Sequence, residues 1–359
     1  MSLRNKIGQM LIMGFSGHEL TANSPVAQWL QQDGLGGVLL FDYDLHANCQ
    51  GKNLKNRAQI KQLNAQLNYY ATVTGDGRDP LPLFIAIDYE GGAVDRLAKI
   101  AGCMPTLKAS EQALLTDDAL FAEAEKMAIT LRTLGFNLNF APVVDLDLVA
   151  NEGIIGRLGR SFSAEPNQVI RAARQVVKAF SQQGIMAAYK HFPGHGSASG
   201  DTHEGFVDVS DSFLPAELEP YAALLQDQES PVMVMTAHVI NRQLDPAGLP
   251  ATLSLPILTG LLRKQLGFNG VIVSDDLQMK AISHHYSLDE SLRLTINAGA
   301  DMLIFGNQLG NIAASDIIDS IEKLVKSGAI ETARIEQAYQ RIVCLKRSQQ
   351  ALATVALLD

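Results

Sequence analysis

Short apolar runs alternate along the chain with amphipathic segments, and this alternation predicts strands and helices in turn. Eight runs read as strands, at residues 10–15, 37–41, 83–88, 138–145, 185–191, 232–238, 270–275 and 302–306. Most are rich in Val, Ile, Leu or Met, as strands covered on both faces should be. Helical spacing fills the gaps between them, as in Ile60, Leu63, Leu67 and Tyr70, then Leu120, Ala124, Met127, Leu131 and Leu134. Further helices are expected over 169–180, 218–225, 257–266, 288–298 and 312–325, with a terminal one over 331–350. The apolar stretch 7–15 after Lys6 reads as a strand.

Eight strand–helix repeats predict an α/β fold, a single (β/α)8 TIM-type barrel with a long catalytic loop after strand 5. Such a barrel usually takes about 250 residues, which leaves room here for sizeable loops. The competing architecture is an open doubly wound sheet. No G-x-G-x-x-G follows an early strand, so its dinucleotide-binding form lacks its signature. No linker or compositional break divides the chain, and one domain over 1–359 is expected.

Composition narrows the partners. With 47% hydrophobic and 19% charged residues the chain can bury a large core, and disorder is not expected. A formal charge of −9 with no basic stripe argues against a nucleic-acid surface and suits a small neutral ligand. Cys49, Cys103 and Cys344 are odd in number, far apart and without C-x-x-C spacing, which fits a reducing compartment. The N-terminal apolar stretch lacks a cleavage site, and no run approaches the roughly 20 residues of a membrane span. A soluble cytoplasmic monomer with no membrane partner and no cofactor is the expectation.

In a (β/α)8 barrel the reacting groups sit where strands end, so what closes each run is informative. The third run ends in Asp88, followed by Tyr89-Glu90-Gly91-Gly92; the fourth ends in Asp145, the fifth in Lys190-His191, the sixth in His238 and the seventh in Asp275-Asp276. Burying that many ionisable groups for structure alone would be costly. Five on one rim point to a site.

The densest stretch is Lys190-His191-Phe192-Pro193-Gly194-His195-Gly196, then Asp201-Thr202-His203. Its glycines and Pro193 make a shaped, non-helical loop. Asp201 and His203 are close enough in sequence to hydrogen-bond, and a carboxylate on one ring nitrogen makes the other a better acid/base. His191 and His195 have a four-residue spacing, but metal pairs at that spacing usually need a helix, which Pro193 and Gly194 disrupt. No metal is expected; His191 reads as a ligand contact and His195 as a loop-packing group. In Val271-Ile272-Val273-Ser274-Asp275-Asp276 an apolar strand delivers a carboxylate to the rim, where Asp275 is placed to attack and Asp276 reads as an N-cap. Glycosidic cleavage commonly uses two carboxylates; here the Asp201–His203 pair would replace the second.

These residues resemble the bacterial β-N-acetylglucosaminidases of glycoside hydrolase family 3. The similarity is carried by Ile87 to Gly92 with Arg96, Phe140-Ala141-Pro142-Val143 with Asp145, Gly159-Arg160-Ser161-Phe162, Lys190 to Gly196, Asp201 to His203, and Ser274 to Met279. The resemblance implies a retaining mechanism, with Asp275 as nucleophile and His203, oriented by Asp201, as acid/base. It also implies that Asp88, Arg96, Arg160, Lys190 and His191 hold the sugar hydroxyls and the N-acetyl group. Many family members take their acid from a further domain; here the loop is expected to supply it. A role on muropeptides in peptidoglycan recycling follows from the resemblance alone. Ala93 and Tyr89 depart from the residues usual in such enzymes.

Two alternatives keep part of this site. A phosphorylase would use phosphate rather than water in the second step. A lyase would use Lys190 as a Schiff base on the barrel rim. A non-catalytic sugar-binding module would leave the nucleophile and acid/base pair without a purpose.

Overall fold

The computed structural model of the 359-residue chain describes residues 1–73, 80–149, 152–202, 204–227 and 230–355. Eight parallel strands close into a barrel: β1 Leu11–Met13, β2 Gly37–Leu39, β3 Phe84–Ile87, β4 Leu138–Asn139, β5 Met186–Phe192, β6 Val232–Thr236, β7 Ile272–Asp276 and β8 Met302–Phe305. Each strand pairs with its neighbours in sequence, and Leu11 opposite Leu303 closes β1 onto β8. The eight apolar runs thus correspond to the eight barrel strands. Side chains such as Ile12, Phe84, Ile85, Val234 and Ile272 are wholly buried, because helices cover the barrel outside and side chains fill it inside.

The helices obey their own local rules. Arg57–Thr72 starts at Asn56, whose side chain accepts the Gln59 N–H; Asp117–Leu134 starts at Thr116 and ends at Gly135 with φ 89°. Pro166–Gln182 has Pro in its first turn and buries Val169, Ala173, Val176 and Phe180 along one face. Glu219–Leu224, Pro256–Gln265, Leu288–Ala298 and Ala314–Lys326 follow β5 to β8. The terminal helix Thr332–Val355 is pinned beside the start of the barrel strands. Lys346 Nζ donates to Gln9 Oε1 and Gly36 O, both at 2.8 Å, while Arg334 and Arg341 reach Asp301 at 2.8 and 3.1 Å. That leaves the opposite rim, where the strands end, open for a site.

The sequence reading needs three corrections. Residues 7–15 are not one strand: Leu3–Gln9 is a helix capped by the Ser2 side chain, and only Leu11–Met13 joins the barrel. Glycine stands at position 8 of that helix because a Cβ there would lie 2.1 Å from Asp33 O. The strand expected over 138–145 pairs regularly only at Leu138 and Asn139, since Pro142 has no N–H to extend the ladder. A short helical segment, Pro25–Gln28 continuing as Trp29–Asp33, lies between β1 and β2, where no helix was expected. No described helix is long and apolar enough to cross a membrane.

Candidate active site

A cavity of about 430 Å³ opens where the barrel strands end. Asp88, Arg96, Arg160, Lys190, His191, Asp201 and Asp275 all line it, so seven of the eight residues singled out in the sequence converge on one space. The eighth, His203, lies outside the described residues. The cavity is of mixed character, for Phe41, Tyr43, Phe140, Ile155, Leu158 and Met279 form apolar wall between the polar groups. Such a surface suits a ligand with both polar edges and an apolar face.

Its polar floor is organised around a carboxylate to which the sequence reading gave no role. Glu90, in the short hairpin after β3, is buried and accepts from Arg160 Nε and Nη2, both at 2.8 Å, while Lys190 Nζ lies 2.6 Å from its Oε1. Burial alone would raise the Glu90 pKa, but the two cations outweigh it and hold the carboxyl far below its ordinary range. Lys190 also donates to Asp88 Oδ1 at 3.2 Å. Arg96 stands 3.8 Å from Asp88 Oδ2 and 3.5 Å from Asp42 Oδ1. The result is a fixed row of alternating charges that can donate to and accept from several hydroxyls at once.

Asp145 is the second buried organiser. Its carboxylate accepts the main-chain N–H of His195 at 2.8 Å and of His191 at 3.1 Å, and lies 2.7 Å from His191 Nδ1. Burial pushes this carboxyl up, but the His191 ring and the N–H groups leave it below its usual value. With Nδ1 held by Asp145, the Nε2 side of His191 is left for the cavity that the residue lines. His195 is buried beside it, the rings meeting edge to face at 5.8 Å. Burial first, then the neighbouring His191, push the His195 pKa down to about 4. His195 also lines the cavity, beyond the loop-packing role expected from the sequence.

The long loop leaves β5 through a tightly built root. Glu217 Oε2 accepts the N–H groups of Gly196 and Ser197 at 3.0 and 3.3 Å. A Cβ on Gly196 would stand 2.0 Å from Leu146 O, so only glycine fits there. Further along, Thr202 is buried and its carbonyl accepts the Ala281 N–H at 3.3 Å, and the Phe206 ring stacks on His285 with centroids 3.6 Å apart. The loop is therefore tied at its root to the segment before β6 and near its tip to the segment after β7. Asp201 lies between these ties, on the cavity.

Strand β7 carries Asp275 to the same space, and Asp275 Oδ1 accepts the Asp276 N–H at 2.8 Å. Asp276 is not an N-cap, contrary to the sequence reading. Its Oδ1 accepts the Gln278 N–H at 3.0 Å in a turn, and the next helix, Lys280–Ser283, begins after Met279. Asp276 also lines the cavity. Neither departure lines the cavity: Tyr89 is buried beside a separate small pocket that Ala109, Gln112 and Met127 also line, and Ala93 is exposed.

Residues 2–345 match the family described as Glycosyl hydrolase family 3 N terminal domain. The chain is 34% identical over 346 residues to beta-hexosaminidase A of Pseudoalteromonas piscicida, covering 90% of this chain and 55% of that protein. It is also 34% identical over 306 residues to the beta-hexosaminidase of Xylella fastidiosa strain 9a5c, covering 82% of each. The chain thus spans little more than half the length of the first relative and most of the second. Among solved structures, a glycoside hydrolase family 3 beta-N-acetylglucosaminidase from Paenibacillus sp. str. FPU-7 superposes with a TM-score of 0.84 at 32% identity, over 98% of this chain and 63% of that one. The beta-N-acetylhexosaminidase of Beutenbergia cavernae DSM 12333 gives 0.81 at 26% identity, over 97% and 99%.

Proposed function

The chain belongs to glycosyl hydrolase family 3, and from that premise we propose that it is a retaining exo-β-N-acetylglucosaminidase. The observation that carries this reading is the convergence of Asp275 and Asp201 with the Asp88, Arg96, Arg160, Lys190 and His191 cluster on one cavity. The relatives named beta-hexosaminidase and beta-N-acetylglucosaminidase support the choice of sugar.

In the proposed first step a carboxylate oxygen of Asp275 bonds to the anomeric carbon as the glycosidic C–O bond breaks. The departing oxygen takes a proton from His203, which Asp201 orients. In the second step neutral His203 takes a proton from water, whose oxygen attacks the same carbon and returns Asp275 to its free carboxylate. Lys190 and Asp88 hold sugar hydroxyls, and Arg160, Arg96 and His191 complete the contacts to the ring and its N-acetyl group. Glu90 and Asp145 hold these donors in place. Muropeptide fragments in cytoplasmic peptidoglycan recycling are the physiological substrate in this reading, which rests on the family resemblance.

The test compares release of a chromogenic leaving group from β-N-acetylglucosaminide and from β-glucoside by wild type, Asp275→Ala and His203→Ala. Wild type should prefer the N-acetylated sugar and both variants should lose most activity. Equal rates on the two sugars, or an Asp275→Ala variant as active as wild type, would overturn the reading.

A further inference from the structure

His238 ends the sixth apolar run with an ionisable side chain, yet its ring is wholly buried and it does not line the cavity. It sits behind the wall, where β6 and β7 part. The regular pairing of these strands runs through Val234 with Ile272 and Met235 with Val273. On the other flank of β7 the register with β8 shifts between Val273 and Asp276. Asp275 therefore stands within the irregularity, next to Asp276, which is again opposite Ile304.

His238 supplies a tie at that point. Its Nε2 lies 2.9 Å from the main-chain oxygen of Asp276. A carbonyl can only accept, so Nε2 carries the proton. On the other side, Nδ1 lies 2.8 Å from Thr252 Oγ1, which is itself 2.6 Å from Thr236 Oγ1. Thr252 Oγ1 also lies 2.8 Å from the Ala237 carbonyl, so its one hydroxyl proton has two acceptors within reach, that carbonyl and Nδ1. The ring is held at both nitrogens, by the Asp276 carbonyl and by the Thr252 hydroxyl.

We propose that His238 is a positioning residue for Asp275. Asp276 is held from both sides: His238 fixes its carbonyl, and its own N–H is donated to Asp275 Oδ1 at 2.8 Å. Anchoring that residue sets the direction from which the Asp275 carboxylate meets the anomeric carbon. The inference rests on Asp275 being the nucleophile and goes beyond that reading by naming what aims it.

The experiment measures kcat and KM on a chromogenic β-N-acetylglucosaminide for His238→Ala, His238→Gln, Thr252→Val and Asp275→Ala, with thermal melting of each. A small misplacement of reacting atoms costs on the order of 100-fold, so His238→Ala should lose about that much in kcat. KM should stay close to wild type, because the Lys190–Asp88 floor is untouched. Gln can present an N–H near the position of Nε2, and His238→Gln should recover much of the loss. Thr252→Val, which keeps the ring but removes the hydroxyl that contacts Nδ1, should lower kcat in the same sense and covers the case in which His238→Ala does not fold. Unchanged kcat in His238→Ala, or loss with no recovery in His238→Gln and none in Thr252→Val, overturns the inference. If those results accompany an inactive Asp275→Ala, the nucleophile reading survives; a fully active Asp275→Ala removes both.

Discussion

Lys190 Nζ lies 2.6 Å from Glu90 Oε1, with both side chains almost entirely shielded from water. Glu90 also takes the two-pronged grip of Arg160, so one carboxylate fixes two cations of the cavity floor. Removing one partner of a buried pair leaves the other charge uncompensated, at a cost of about 3 kcal/mol or more. Glu90→Gln should therefore lower unfolding stability by about that amount and raise KM roughly tenfold, a 1.4 kcal/mol loss of binding. Urea titration and steady-state kinetics read the two effects. A variant with unchanged KM and midpoint would show that the floor does not depend on this tether.

His195 gives the protein a distinct acid sensitivity. Its folded-state pKa is depressed from 6.5 to about 4 by burial and by His191, so between those values the unfolded chain binds a proton that the folded chain does not. Stability therefore falls as pH drops from about 6.5 toward about 4, by up to about 3 kcal/mol from this group. A His195→Asn variant has no ring to titrate and should show a flatter profile over that window. Denaturation midpoints at several pH values decide it; parallel profiles for the two proteins would rule the ring out as the cause.

Gly196 is fixed by close approach, since any Cβ would collide with Leu146 O. In Gly196→Ala the loop root must shift, and with it Asp201. A displacement of about 1 Å at the acid/base would lower kcat on the order of 100-fold, while KM, set by the floor residues, should change little. Loss confined to KM would place the effect of this glycine on sugar binding instead.

Much of the barrel and part of its rim were legible in the sequence, for the same physical reason. Strands buried on both faces must be continuous apolar runs, and polar residues that close them mark the barrel mouth; Asp88, Lys190 and Asp275 were found this way, whereas His238 closes its run inside the protein. Glu90 and Asp145 were not assigned roles, because what makes them organisers is 70 residues away in Arg160 and 46 away in His191. Periodicity carries no record of such pairings. The helix at Leu3–Gln9 was hidden because its apolar residues run straight into β1, and only Ser2 and the close contact at Gly8 mark it off. Asp276 was misjudged because an aspartate before a short helix looks alike whether it caps the helix or a preceding turn.

The central claim is double displacement through Asp275, and the most direct measurement is the anomeric configuration of the first-formed sugar, followed by proton NMR during hydrolysis of an aryl β-N-acetylglucosaminide. Azide should be added in parallel to Asp275→Ala. Wild type should release β-N-acetylglucosamine first. The Asp275→Ala variant should be inactive alone but form the α-glycosyl azide when azide takes the place of the missing carboxylate. Initial release of the α-anomer by wild type, or undiminished hydrolysis by Asp275→Ala, would contradict that claim.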